Sequence, residues 1–187
     1  MRQDDLTALE SRATATIRPV RTQDDLRHAR ELFIEYARSL HVDLCFQGFE
    51  AELASLPGAY APPRGRLLLA ADGTHVFGCV ALRPLANASE AGPAPTGEPI
   101  FAEVKRLYVQ PARRGEGWGE RLTRAIVREA RAIGYRELKL DTLAGMSAAR
   151  ALYARLGFRE CAPYYDNPLA GAAYLSLVLT AGAEPCA

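Results

Sequence analysis

Nowhere in this sequence do about 20 apolar residues run together, which excludes a membrane-spanning helix. The N-terminus, MRQDDLTALESR, is acidic and polar and lacks an apolar central segment. It reads as neither a secretory signal nor an anchor, so the expected compartment is cytoplasmic. Cysteine is scarce: Cys45, Cys79, Cys161 and Cys186 show none of the CxxC or Cys/His spacings of a metal site and read as reduced structural thiols. No block of one charge sign appears either. Lys and Arg are scattered among acids to a net charge of +1, so the long-range field that concentrates polyanions is weak. Neither nucleic acid nor a membrane is an expected partner, and any anion site has to be local.

What is present is a well-mixed chain of 187 residues, 49% hydrophobic and 24% charged, the composition and size of one globular core. Residues 1–13 have neither apolar period nor turn framework and read as a flexible tail, leaving 14–187 as a single domain. Thr16 to Val20 reads as a strand. Thr22 and Asp25 resemble a capping box opening a helix to about Leu40, with Leu26, Ala29, Leu32, Phe33 and Tyr36 on its apolar face. A short helix from Phe49 to Leu56 stops at Pro57 and Gly58, and the apolar runs 66–71 and 76–82 flank a hairpin turn at Asp72 and Gly73. Residues 84–99 form a Pro/Gly/Ala/Ser-rich loop. Strands are expected at 103–109, 137–143, 158–162 and 173–179, and helices at 117–133 and 147–156. Gly134 and Gly157 close the helices. The order β-α-α-β-β-β-α-β-α-β-β gives an α/β domain with a largely antiparallel first half.

The chemistry concentrates in KRLYVQPARRGEGWG, residues 105–119, where a strand feeds a glycine loop that opens a helix. A helix start presents unpaired N–H groups and partial positive charge, and Gly117 and Gly119 carry no Cβ to keep a phosphate from the backbone. Taken alone, the glycine pair reads equally as a tight turn needing positive φ. Its surroundings favour the anion site. Arg114-x-x-Gly117-x-Gly119 resembles the Arg/Gln-x-x-Gly-x-Gly/Ala signature of the GCN5-related N-acetyltransferase (GNAT) superfamily. Downstream, ALYARLGF at 151–158 resembles that family's helix carrying a Tyr and ending in Gly-Phe.

The resemblance implies the GNAT fold, a mixed, mostly antiparallel sheet of six or seven strands flanked by about four helices. It also implies acetyl-CoA as donor and a primary amine, of a small molecule or a protein terminus, as acceptor. In that fold the strand at 103–109 splays from the strand at 137–143. Backbone groups of Leu107, Tyr108 and Val109 would pair with the pantetheine arm, while the N–H groups of Gly115, Glu116, Gly117, Trp118, Gly119 and Glu120 would hold the pyrophosphate with help from Arg114. Arg113 reads as a solvated arginine within reach of the 3′-phosphate. Tyr153 matches the family's proton donor to the leaving sulfur. Glu103 and Asp141 are both candidates for the general base, and sequence does not choose between them. Met146 stands where the family often has an Asn, and Ser147 beside it reads either as a hydroxyl supplied to the cofactor in its place or as the helix N-cap.

Acceptor recognition is expected from Phe46, Gln47, Phe49, Arg83 and the segment Tyr164 to Asn167. Arg83, Lys105 and Arg106 are candidates to bind a carboxylate, although strand alternation should place some of them outside the site. His28, His41 and His75 fall outside every motif. Exposed strand edges of such a domain could support a homodimer.

Two other readings are weighed. A dinucleotide-binding unit wants a third glycine where Glu120 stands, and a P-loop wants a Lys-Ser/Thr that is missing. A non-catalytic acyl-CoA sensor of the same fold differs from an enzyme only in its reactive residues, and Tyr153, Glu103 and Asp141 favour catalysis.

Overall fold

The computed structural model describes residues 15–40, 48–85, 101–169 and 171–179. The expected tail over 1–13, most of the loop at 84–99, and Phe46, Gln47 and His41 lie outside the described residues.

The elements follow the expected order: β1 (Thr16–Pro19), α1 (Gln23–Leu40), α2 (Phe49–Ser55), β2 (Arg66–Asp72), β3 (His75–Pro84), β4 (Phe101–Val109), α3 (Trp118–Ile133), β5 (Glu137–Leu143), α4 (Ser147–Arg155), β6 (Arg159–Glu160) and β7 (Ala172–Val178). They form one sheet in the order β1-β2-β3-β4-β5-β7-β6. Every neighbouring pair is antiparallel except β4 with β5. Strand β4 begins at Phe101 rather than Glu103, and the last helix start differs too: Met146, with no side-chain cap, occupies the N-cap position expected for Ser147.

Alternation along β2 and β3 builds a core on each face of the sheet. Leu67, Leu69, Cys79 and Ala81 pack with Ala29, Leu32 and Phe33 of α1. Leu68, Ala70, Val80 and Leu82 pack on the other face with Leu122, Ile126 and Ala130 of α3. The arginines at 121, 124, 128 and 131 are all exposed, as the period of α3 requires. Helix α3 comes close to the sheet at Gly78, where an added Cβ would lie 3.1 Å from the Tyr108 carbonyl oxygen and 3.2 Å from Leu122 Cδ1.

The start of α1 is fixed by reciprocal bonds. The Asp25 N–H donates to Thr22 Oγ1 at 3.1 Å, and the Thr22 and Arg21 N–H groups donate to Asp25 Oδ2 at 3.1 and 2.9 Å. Arg18 of β1 reaches Asp25 Oδ1 at 2.6 Å, so the cap also ties helix to strand. Burial pushes the Asp25 pKa up, but the N–H groups of Arg21 and Thr22 and the Arg18 guanidinium outweigh it and hold the carboxyl at about 2. A lowered carboxylate stabilises the fold fully above its unfolded value, and that contribution fades as pH falls from about 4 through about 2. Asp25→Asn is expected to cost about 2 kcal/mol at neutral pH and to flatten the loss of stability over that acid window, read from denaturant unfolding at several pH values.

Candidate active site

β4 and β5 pair only from Phe101–Glu137 to Glu103–Lys139. On its other edge β4 stays paired with β3 as far as Val109. The two parallel strands therefore diverge beyond Glu103, as the family resemblance implies. The cleft between them is open to solvent, and its lining includes Tyr36, Lys105, Arg106, Asp141, Met146 and Tyr153.

A bulge in β4 lies within this opening. Cys79 faces Tyr108 and Ala81 faces Lys105, so Val80 alone opposes two residues of β4. Arg106, at the bulge, takes φ 57°, the one positive φ outside glycine among the described residues. Such backbone costs on the order of 1 kcal/mol or more and persists only when its surroundings fix it. Here the fixing contact is a two-pronged ion pair, with Arg106 Nε 2.9 Å from Glu52 Oε1 and Nη2 2.6 Å from Oε2. Tyr60 also donates its hydroxyl to Glu52 at 2.8 Å. Lys105 and Arg106 both line the cleft and Arg83 does not, in keeping with the expectation that some of the three would lie outside the site.

The two candidate bases sit in different surroundings. Glu103 is fully buried. Its Oε2 accepts from Arg83 Nε at 2.7 Å, with Nη2 at 2.6 Å, and its Oε1 accepts from the Tyr164 hydroxyl at 2.9 Å. Glu103 does not line the cleft, whereas Asp141 does. Asn167 donates to Asp141 Oδ2 at 3.2 Å and to the Tyr165 hydroxyl oxygen at 3.0 Å. Lys105 lies between the acids, its Nζ 3.5 Å from Glu103 Oε1 and 3.9 Å from Asp141 Oδ1. Burial lowers the Lys105 pKa, and the two carboxylates oppose that shift. The three cations considered for carboxylate recognition, Arg83, Lys105 and Arg106, are thus each paired with an acid of the protein itself.

Tyr153 projects from α4, buried, with its ring 5.4 Å from that of Phe158. Burial raises its pKa, and the neighbouring Tyr36 and Asp141 add to the shift, so the phenol keeps its proton at neutral pH. Burial likewise pushes Tyr36 up to about 12, against the pull of Arg106.

At the other end of the cleft, Gly115 and Gly117 both take φ 81°, and an added Cβ at either would meet no atom within 4 Å. The start of α3 carries no side-chain cap, so its first N–H groups are left for solvent or a ligand. Arg114 Nε donates to the Val109 carbonyl at 3.0 Å, taking one backbone position expected to serve the pantetheine. Arg113 corrects the expectation of a solvated side chain: it is half-buried beside Asp72, Glu116 and the Phe77 ring. The open helix start, the outward-facing glycine loop and the unpaired edge of β4 fit a long ligand with a phosphate end and an amide-bearing arm, which is the chemistry of coenzyme A.

The model of the acetyltransferase (GNAT) family matches residues 26–158. The chain belongs to the GNAT acetyltransferase family. An uncharacterized N-acetyltransferase of Schizosaccharomyces pombe is 36% identical over 167 residues, covering 88% of this chain and 95% of its own length. Membership makes this GNAT protein an acetyl-CoA-dependent N-acetyltransferase. The fold is shared with a GNAT acetyltransferase of Staphylococcus aureus Mu50, with TM-score 0.69, 16% identity, and coverage of 89% of this chain and 99% of that one. A Salmonella typhimurium protein described with its cofactor acetyl-CoA has TM-score 0.61 and 21% identity, over 93% of this chain and 99% of its own.

Sequence reasoning passed over Glu52, which has the appearance of a solvated acid on a short helix until the bulge delivers Arg106 to it. The Arg106 side chain is only 2% exposed, so removing its partner strands a buried charge. Glu52→Ala is expected to destabilise the fold by roughly 3–5 kcal/mol in urea unfolding, and Arg106→Met in the same chain should restore a large part of the loss.

Proposed function

We propose that this GNAT enzyme acetylates a primary amine of a small-molecule acceptor by direct attack within a ternary complex. The observation that carries the reading is the convergence of Tyr153 from α4 and Asp141 from β5 on one cleft lined by polar and apolar groups.

Backbone groups of Leu107, Tyr108 and Val109 would hold the pantetheine arm, and the loop from Arg114 to Glu120 the pyrophosphate. When bound, the donor supplies an activated thioester at the cleft. Amine attack needs a neutral nucleophile, and Asp141 Oδ1 is the carboxylate oxygen placed to take its proton. Asn167, which also donates to the Tyr165 hydroxyl, holds the Asp141 carboxylate in place, and Lys105 lies beside Oδ1. Glu103 is the weaker candidate, since Arg83 and Tyr164 already claim both its oxygens. Tyr153 Oη keeps a proton available for the departing sulfur.

A screen of amines that reads free thiol released from acetyl-CoA identifies the acceptor class, and a panel in which only peptides or proteins respond would overturn the small-molecule reading. Acetyl-CoA should raise the thermal midpoint of the wild-type protein, and Gly117→Val should abolish that shift while still folding. On the acceptor so found, Tyr153→Phe is expected to lower kcat ~10²- to 10⁴-fold with little change in the acetyl-CoA dissociation constant. An unchanged kcat, with chemistry limiting the rate, would remove Tyr153 from proton donation.

A further inference from the structure

Glu116 stands in the middle of the donor loop, between two left-handed glycines, in the position where a carboxylate would most oppose a pyrophosphate. Its side chain is folded back. Arg113 Nε donates to Glu116 Oε2 at 3.1 Å, and the Trp118 indole N–H donates to the same oxygen at 3.2 Å. Arg113 Nη1 reaches Asp72 Oδ2 at 3.3 Å, at the end of β2 beside the hairpin turn. The guanidinium stacks over Phe77, 4.2 Å from its centroid, and the Trp118 ring meets the same Phe77 edge-on at 5.0 Å. Phe77 is fully buried, and the Arg113 side chain is 15% exposed. A planar fork that stacks and bonds two acids is a task for Arg that the point charge of Lys does not reproduce.

Building on the reading of this loop as the pyrophosphate site, we propose that Arg113 is a positioning residue for donor binding: with the Trp118 indole it clips the Glu116 carboxylate against the β2–β3 hairpin, neutralising it and setting the loop's shape before the donor arrives. Three features support the clip. Arg113 and Glu116 lie either side of the left-handed Gly115, so closing their contact fixes the loop's curvature. Arg113 Nη2 is buried without a hydrogen-bond partner, so the arginine gives up hydration to sit here. Trp118 is the first residue of α3, so the clip also fixes the helix start that would face the phosphates.

The effect is electrostatic, and so it can be cancelled. Acetyl-CoA binding is measured by isothermal titration on the full-length protein, with thermal melts as a check on folding. Arg113→Met is expected to weaken binding tenfold or more, by releasing the Glu116 carboxylate beside the phosphates, and the loss should shrink as NaCl rises from about 50 to about 300 mM. Glu116→Gln alone should bind acetyl-CoA more tightly than wild type, because one of the two acids paired with Arg113 is removed from beside the phosphates. The double variant should recover most of the affinity lost in Arg113→Met. If Arg113→Met does not fold, Trp118→Phe, which keeps the ring on Phe77 and removes the indole donor, carries the test with and without Glu116→Gln. Binding by Arg113→Met or, in its absence, Trp118→Phe within twofold of wild type, or failure of Glu116→Gln to rescue it, would overturn the clip. Failure of the wild-type protein to bind acetyl-CoA would instead overturn the donor site itself.

Discussion

A carboxylate buried at the point where two strands part is the constraint on which the cleft depends. Glu103 is the last residue of β4 paired with β5, and it has no exposed surface. An ionised side chain in that setting is tolerated only if its charge and lone pairs are met. They are met from three directions: Arg83 on β3, Lys105 on its own strand and Tyr164 from the segment before β7. The same contacts that make the burial tolerable lock β3, β4 and the C-terminal segment together just below the opening. Above Glu103 the bulge at Arg106 turns β4 away, so the divergence of the strands has an anchor at its base and a bend at its side.

Charge is distributed across this opening in alternation. Arg83, Glu103, Lys105 and Asp141 form a chain of opposite neighbours from β3 to β5, and Arg106 with Glu52 closes a second pair toward α2. No cation in that set lacks an acid. Asp141 is the acid whose closest cation, Lys105, lies 3.9 Å away, and it lines the cleft, which is why Asp141 rather than Glu103 is the residue proposed for proton transfer.

The elements were largely legible from the sequence because their signals are local. Thr22 and Asp25 announce the start of α1, and each closes its half of the reciprocal bond. The period of Leu122, Ile126 and Ala130 announces the buried face of α3, and the glycine loop announces its start. The splay and the bulge were not legible from spacing. One came from family resemblance, and the other was missed, because a bulge is decided by the register of two strands and not by the residues of either. The same limit explains Arg113, Arg106 and Glu52. Apart from Glu116, their partners lie on other elements, and an arginine in a polar stretch has the same local appearance whether it is solvated or clamped.

Nearby residues of the C-terminal segment hold acids of different strands: the Tyr164 hydroxyl donates to Glu103 of β4, and the Asn167 amide, which also donates to the Tyr165 hydroxyl, donates to Asp141 of β5. Both rings pack edge-on with Tyr174, which also donates its hydroxyl to the Tyr165 carbonyl. The segment is therefore a crossbar tying the two arms of the V together. The arms cannot open further without breaking a contact to one of these two carboxylates. On the proposed reading of the cleft, that crossbar sets the width for an acceptor, and room for a larger molecule has to come from the α1 wall at Tyr36 and Leu40, which line the cleft.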